Sequence, residues 1–174
     1  MGITTLERLQ TLHKRFGPGP FGKIAQKLLA LAFRSIGFGH VVERGVQGVD
    51  IDAVSSGEKY AFEVKTTEGT TITLDANNLQ ALRDRGQDGY APALAILRIA
   101  LFEDWLMSRP PLEELRPGQF LIDRFRAYRM RSLEEKISPA FELVVGEHFE
   151  GTLKGGQQYL IERLRASGVD IREG

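Results

Sequence analysis

Apolar residues recur every three to four positions near the start of the chain, and this spacing predicts amphipathic helices. Leu6, Leu9 and Leu12 follow two threonines that can cap a helix, so the first helix is predicted over residues 5–16. A Gly-Pro-Gly-Pro connector ends it. A second helix, apolar enough to lie against a sheet, is predicted over residues 21–36.

After this helix the period of alternation falls to two, which is typical of strands. Three consecutive antiparallel strands are predicted, over residues 41–44, 49–54 and 59–65. A Ser-Ser-Gly-Glu sequence forms the hairpin turn between the second and third strands. A helix over residues 76–85, capped by Asp75 or Thr73, and a strand over residues 93–101 follow.

The order helix, three strands, helix, strand predicts an α/β or α+β fold, with a central mixed sheet flanked by helices. We expect a single domain over residues 1–174. Its predicted parts are an N-terminal helix and connector (1–20), a core (21–110) and a mostly helical C-terminal extension (111–174). The extension is too short to bury a separate core easily.

Composition excludes several classes of protein. The 174 residues include 23 Lys and Arg, 23 Asp and Glu, and no Cys, so disulfides, thiolate zinc sites and cysteine nucleophiles are ruled out. The three histidines are far apart and form no zinc motif. No membrane span or signal peptide is recognisable, and we expect a cytoplasmic protein. The zero formal net charge gives no general attraction to nucleic acid.

A glycine-rich stretch at residues 17–23 formally satisfies the G-x-G-x-x-G pattern of nucleotide-binding loops. Ile24 stands where a phosphate-binding loop needs a hydroxyl, and two prolines remove backbone N–H donors. We therefore interpret the stretch as a connector between two helices.

Acidic residues concentrate on the second and third predicted strands. Asp50 and Asp52 project to the same face because side chains two apart on a strand share a face, and Glu63 lies on the next strand. A turn at residues 57–58 places Asp52 opposite Glu63, whereas a turn at residues 56–57 places Asp50 opposite Glu63. Either register brings carboxylates together.

Facing carboxylates repel unless a cation lies between them, and oxygen ligands of this kind suit Mg²⁺ or Mn²⁺. Lys65 shares a face with Glu63 and can offset charge on a phosphoryl oxygen. Together these residue types predict metal-dependent hydrolysis of a phosphodiester. The alternative interpretation is a solvated strand face with cross-strand ion pairs.

The segment resembles the PD-(D/E)XK nuclease superfamily, whose fold is shared by restriction endonucleases and archaeal Holliday-junction resolvases. The match consists of Asp50 or Asp52 at the start of one strand and Glu63-Val64-Lys65 on the next, and it covers about residues 21–101. The resemblance implies a restriction endonuclease-like core.

The resemblance also implies roles for these residues. Asp50, Asp52 and Glu63 are the expected metal ligands, Val64 lends its carbonyl oxygen, and Lys65 stabilises charge or orients the attacking water. Mg²⁺ or Mn²⁺ is the expected cofactor.

The predicted nucleic-acid contacts are Gln26, Thr66, Thr67, Gln80 and Arg83. The threonines and Gln80 match positions where proteins of this superfamily contact phosphate, and Arg83 is one of several arginines that could line a groove. Many resolvase-like members carry a glutamate in the helix before the first strand, where this chain has Gln26. A glutamine can bind a metal or a water through its carbonyl oxygen, but it adds no negative charge.

The sequence thus predicts a metal-dependent endonuclease of the resolvase or restriction type, acting on DNA that could be branched or structured. Resemblance to resolvases implies a homodimer, and no membrane association is expected. The alternative is a non-catalytic nucleic-acid-binding or scaffold protein that retains the fold. Hydrolysis of RNA or of a small phosphodiester is open as a third reading, because it needs the same metal chemistry.

Overall fold

The structure is a computed structural model and describes residues 1–45, 48–101 and 103–172. Its helices are α1 (Ile3–Phe16), α2 (Pro18–Ser35), α3 (Ala76–Gln87) and α4 (Arg131–Ala166). Its strands are β1 (His40–Arg44), β2 (Ile51–Ser55), β3 (Glu58–Thr67), β4 (Thr71–Leu74), β5 (Ala91–Arg98), β6 (Leu106–Ser108), β7 (Gly118–Leu121) and β8 (Asp170–Arg172). Two 3₁₀ segments lie at Leu112–Glu114 and Ile122–Tyr128.

Six strands form a mixed central sheet in the order β6-β5-β3-β2-β1-β8, and β4 pairs with β7 in a separate two-stranded sheet. β1, β2 and β3 are consecutive antiparallel neighbours, as the alternation predicts. β5 runs parallel to β3, and β8 runs parallel to β1. The predicted mixed sheet flanked by helices is therefore confirmed.

The strands that the sequence did not predict are short. β4, β6, β7 and β8 have four, three, four and three residues. So few residues cannot display an alternating pattern that differs from a loop. All four of these strands lie at an edge of the central sheet or in the small second sheet, so the central three-stranded order was predictable without them.

Helices cover both faces of the sheet. On one face Leu9 of α1, Phe33 of α2 and Phe141 of α4 belong to one buried cluster, in which Phe33 stacks on Phe62 of β3 at a ring distance of 5.0 Å. On the other face, Leu79 of α3 belongs to a second cluster with residues of β4, β5 and the 3₁₀ segments. The apolar side chains of β3 alternate between the two clusters. The polar side chains of β3 therefore lie next to well-packed apolar residues.

The observed helices differ from their predicted bounds by a few residues, most of all at the start of α2. α2 begins at Pro18 rather than at residue 21, because prolines are well tolerated in the first helical turn, where no N–H donor is needed. α4 makes up most of the predicted helical C-terminal extension and packs along α2. Gly156 inside it has φ 57° and ψ −140°, so α4 consists of two helical pieces joined at a kink. None of the described helices combines the length and apolar character that a bilayer span needs.

β3 extends beyond its partner β2. The ladder of β3 with β2 ends at Phe62, whereas the ladder with β5 continues to Thr67. The second half of β3 therefore has a described strand partner along one edge only, and the side chains discussed below lie at this fork between β2 and β3.

Candidate functional site

The register of the β2–β3 hairpin decides which acidic residues meet. The paired residues leave positions 56 and 57 as the turn, which selects the second of the two registers considered above. This register places Asp50 opposite Glu63, one position beyond the last described pair. Asp50 Oδ2 accepts a hydrogen bond of 2.8 Å from the backbone N–H of Val64. Two carboxylates therefore meet at the fork.

Glu63, Lys65 and Asn78 form a closed triangle of hydrogen bonds on the α3 side of the sheet. Lys65 Nζ lies 2.9 Å from Glu63 Oε1 and 2.9 Å from Asn78 Oδ1. Asn78 Nδ2 donates to the same Glu63 oxygen at 2.6 Å. The Glu63 side chain is only 4% exposed and that of Lys65 is 23% exposed, so of these two groups the ammonium is the one nearer to solvent.

Asn78 is held by the start of α3. Asp75 caps the helix by accepting a 2.8 Å bond from the Asn78 N–H, and Asn78 Oδ1 accepts a 3.1 Å bond from the Asp75 N–H. This reciprocal capping box fixes the Asn78 side chain before it contacts the site. Asn78 was not among the site residues predicted from the sequence, although the Asp-x-x-Asn spacing at the predicted start of this helix is a recognisable capping signal.

The environment of Glu63 changes its acidity. Burial raises its pKa from the ordinary value of 4.5 to about 7, and the negative charge of Asp50 acts in the same direction. Lys65 and, more weakly, Lys23 oppose this rise in pKa. A buried acid beside a second carboxylate binds a proton readily at neutral pH, and another cation could replace that proton.

Gln26 of α2 reaches the site with a defined orientation. Its Nε2 atom donates to Glu43 Oε1 at 2.8 Å, to the carbonyl of Arg44 at 2.7 Å and to the carbonyl of Asp50 at 3.2 Å. Because these three groups only accept hydrogen bonds, the amide nitrogen must face them. Gln26 Oε1 therefore points the other way, where Lys23 Nζ donates to it at 3.0 Å.

The buried pair of Glu43 and Lys27 lies behind Gln26. Glu43 is fully buried, and its Oε1 accepts from Lys27 Nζ at 2.9 Å. Its Oε2 has no hydrogen-bond partner within the described part of the chain. A carboxylate at position 26 would face this glutamate and two carbonyl oxygens, so the local polarity requires the amide donor of Gln26. This gives a physical reason for the departure from the resolvase-like pattern.

Asp52 is separated from this cluster by its ion pairs. Its side chain is 1% exposed, and Oδ2 pairs with Arg44 and, at 2.8 Å, with Arg85, which also donates to Oδ1 at 3.1 Å. Arg85 in turn lies 3.8 Å from the ring centroid of Tyr90. Both oxygens of Asp52 are thus engaged by guanidinium groups, and only Asp50 of the two aspartates faces Glu63.

The other predicted site residues lie around the fork in different settings. Thr66 and Thr67 continue β3 and are half-buried, and Thr67 Oγ1 accepts from the Gly69 N–H at 3.0 Å. Gln80 is exposed on α3 and donates to a neighbouring aspartate. Arg83 donates to two carbonyls of the 3₁₀ segment around residues 112–115, at 3.3 and 3.2 Å. The guanidinium of Arg83 therefore holds that segment in place.

The oxygen atoms at the fork fit a hard divalent cation. Asp50 and Glu63 supply carboxylates, and Gln26 Oε1 is a neutral oxygen donor that binds the same Lys23 ammonium as Asp50. In residues 1–45, 48–101 and 103–172, no three His, Cys, Asp or Glu side chains come together as a metal cluster. Two carboxylates with neutral oxygens match the donor preference of Mg²⁺ and Mn²⁺, which usually retain several waters.

Comparison with solved structures identifies the fold. The chain is similar to Hjc, a Holliday junction resolvase from the archaeal hyperthermophile Archaeoglobus fulgidus, with a TM-score of 0.53 and 17% sequence identity. The match covers 66% of this chain and 96% of Hjc. The chain has the resolvase fold. No family model and no curated protein matches its sequence.

The likeness in fold agrees with the sequence resemblance to PD-(D/E)XK nucleases. It extends over more of the chain than the half suggested by the sequence motif. The fold alone does not define a reaction, so the function has to be argued from the side chains at the fork.

Proposed function

We propose that this protein is a metal-dependent endonuclease that hydrolyses DNA phosphodiester bonds. One observation carries the proposal: Asp50 faces Glu63 at the fork of a resolvase-type sheet, and Lys65 lies 2.9 Å from Glu63. Two carboxylates can hold a divalent cation, and one ammonium can stabilise charge on a phosphoryl oxygen. Metal-assisted hydrolysis of a phosphodiester uses groups of both kinds.

The proposed metal ligands are Asp50, Glu63, the carbonyl of Val64 and Gln26 Oε1. When bound there, Mg²⁺ or Mn²⁺ supplies Lewis-acid polarisation of the phosphate and lowers the pKa of a bound water. Burial and the charge of Asp50 raise the pKa of Glu63 to about 7, so a cation held there would take the place of a proton on this carboxyl group. We assign Asp52 to the support of β2 through its arginine pairs.

Lys65 is the proposed charge-stabilising residue. Its ammonium is fixed by Glu63 Oε1 and Asn78 Oδ1 and remains 23% exposed, so it can meet a phosphoryl oxygen without a large movement. Asn78 is a positioning residue, because it touches both members of the pair and is itself fixed by the cap of α3. The half-buried Thr66 and Thr67, with exposed Gln80, are proposed to contact the DNA backbone beyond the fork.

A homodimer is part of this proposal. A four-way junction carries cleavable strands in pairs, so two copies of the site would cut both strands in one encounter. Light scattering of the purified protein, with and without DNA, measures the assembly. A strict monomer in both conditions would contradict the junction-resolving form of the proposal.

One observation favours a second function. Lys23 Nζ lies 3.2 Å from Asp50 Oδ1, and the neutral Gln26 replaces the acid expected in a resolvase-like helix. A site that carries its own ammonium has less need of a metal. The alternative is therefore a DNA-binding or scaffold protein without turnover, which would bind structured DNA and leave it intact.

The decisive experiment is cleavage of a panel of DNA substrates with Mg²⁺, Mn²⁺ or EDTA. The panel contains supercoiled plasmid, linear duplex, a flap, a four-way junction and single strands. Glu63→Gln and Lys65→Met test the site, and Glu58→Gln and Lys59→Met are matched controls on exposed positions of the same strand.

We expect metal-dependent cleavage that is lost in the two site variants and kept in the two controls. Intact substrates under all conditions, together with DNA binding by the wild type, would support the scaffold function instead. Equal cleavage by Glu63→Gln and the wild type would show that the activity belongs to another site or to a contaminant.

A further inference from the structure

The ammonium group of Lys23 is hydrogen-bonded to oxygen atoms that the proposed metal would use. Its Nζ atom lies 3.0 Å from Gln26 Oε1 and 3.2 Å from Asp50 Oδ1. These are two of the four donors assigned above to a divalent cation. An ammonium and a metal ion cannot share the same lone pairs, so the two compete for this position.

The other lysines nearby are held more firmly. Lys27 is 5% exposed and pairs with the buried Glu43, and Lys65 is 23% exposed and bound within the Glu63 triangle. The side chain of Lys23 is 38% exposed, and its two hydrogen bonds within the described residues are to Gln26 Oε1 and Asp50 Oδ1. A flexible four-carbon stem with an exposed end can turn outward at little cost. Lys23 is therefore the lysine of this group that can leave.

Charge balance makes the exchange consequential. Without a metal, Lys23 balances the negative charge of Asp50, and Lys65 lies against Glu63, so both acids already have an ammonium group beside them. Adding a divalent cation while Lys23 stays in place would put like charges side by side. Once displaced, the ammonium needs a new anion, and a DNA phosphate at the mouth of the site provides one.

We infer that Lys23 is a tethered counter-ion that holds the metal position in the free protein and transfers to a DNA phosphate when metal binds. The inference rests on the proposed function, since it assumes the metal site at Asp50. It couples the two ligands, so the metal binds weakly to the free protein and each ligand strengthens the binding of the other.

The first test is the affinity for Mn²⁺ without DNA, measured by electron paramagnetic resonance of the free ion and by calorimetry. Lys23→Met and Lys23→Gln both remove the charge, and the glutamine keeps a hydrogen-bonding group. Lys23→Arg keeps the charge, and Lys154→Met removes an exposed charge from α4. Asp50→Asn reports whether bound Mn²⁺ uses this site.

We expect Lys23→Met and Lys23→Gln to bind Mn²⁺ about tenfold more tightly than the wild type, a typical size for coupling between two sites. Lys23→Arg and Lys154→Met should match the wild type, and Asp50→Asn should abolish the tight binding. Circular dichroism checks that each variant is folded.

The second test is DNA affinity, measured by fluorescence anisotropy of a labelled duplex with and without Mn²⁺ at constant ionic strength. Mn²⁺ should strengthen DNA binding by the wild type about tenfold more than by Lys23→Met.

The outcomes separate this inference from the proposed function. Asp50-dependent Mn²⁺ binding that is equal in the wild type and both neutral variants overturns the inference and leaves the nuclease proposal standing. Absence of Asp50-dependent Mn²⁺ binding in all variants overturns the metal site itself, and the inference falls with it.

Discussion

Replacing Asp52 with asparagine removes the negative charge from a side chain that is 1% exposed and paired with Arg44 and Arg85. Removing one partner of a buried ion pair costs roughly 3–5 kcal/mol, because the remaining charges are left uncompensated. The two arginines are 13% and 20% exposed and can recruit some water. We therefore expect the lower end, a loss of about 3 kcal/mol in the free energy of unfolding.

Urea denaturation followed by circular dichroism measures this loss. With a denaturant slope of about 2 kcal/mol per molar urea, the midpoint should fall by about 1.5 M. Asp88→Asn is the matched control, since it removes a second partner of the same Arg85. The Asp88 side chain is 59% exposed, so its loss should change stability by less than about 0.5 kcal/mol.

The same variant tests whether Asp50 and Asp52 have the different roles proposed for them, metal binding for Asp50 and support of β2 for Asp52. If Asp52 only supports β2, Asp52→Asn should keep the Mn²⁺ affinity of the wild type under native conditions. A loss of less than about 1 kcal/mol in stability, combined with abolished Mn²⁺ binding, would refute the reasoning and make Asp52 a metal ligand.

Three further predictions concern the polar groups of the site. Gln26→Glu should lower the free energy of unfolding by about 3 kcal/mol in urea titrations, because its new carboxylate faces a buried carboxylate and two carbonyls; Gln80→Glu, on the exposed face of α3, should have little effect. Wild type should lose stability relative to Glu63→Gln as pH rises from about 4.5 to about 7, because the folded protein holds the Glu63 proton in that window and the unfolded chain does not; equal thermal melting of the two proteins at pH 5 and pH 8 would contradict this. Asn78→Ala should lower kcat about tenfold with little change in KM, because Lys65 loses the group that orients it, and an unchanged kcat in steady-state cleavage assays would remove Asn78 from the mechanism.

The central part of the site could be predicted from spacing alone. Residues two apart on a strand share a face, so the joint projection of Glu63 and Lys65 follows from the sequence. The choice between the two registers could not be predicted from the sequence, because both registers placed Gly57 within the turn. In the structure Gly57 has φ 92°, a conformation that favours glycine, and it takes the second turn position.

The distinction between Asp50 and Asp52 lay beyond the sequence pattern. It depends on Arg85, which approaches Asp52 from a helix 33 residues further along the chain. The role of Lys23 was hidden for the same reason, since its contact with Asp50 spans 27 residues. Local periodicity describes each element separately, whereas these contacts depend on how the elements pack.

The fork between β2 and β3 ties the chemistry of the site to the integrity of the sheet. Beyond the Ile51–Phe62 pair the ladder between β2 and β3 ends. The carboxylate of Asp50, just before β2, accepts the hydrogen bond of the Val64 N–H and so links the two chain segments past the end of the ladder. An alanine at position 50 would remove the proposed metal ligand and also the hydrogen bond to the Val64 N–H, so a loss of the proposed activity would have two indistinguishable causes. Asparagine keeps a side-chain oxygen in reach of that N–H. Genetic screens with alanine libraries will therefore overstate the catalytic importance of this position, and only isosteric replacements can separate reactivity from scaffolding.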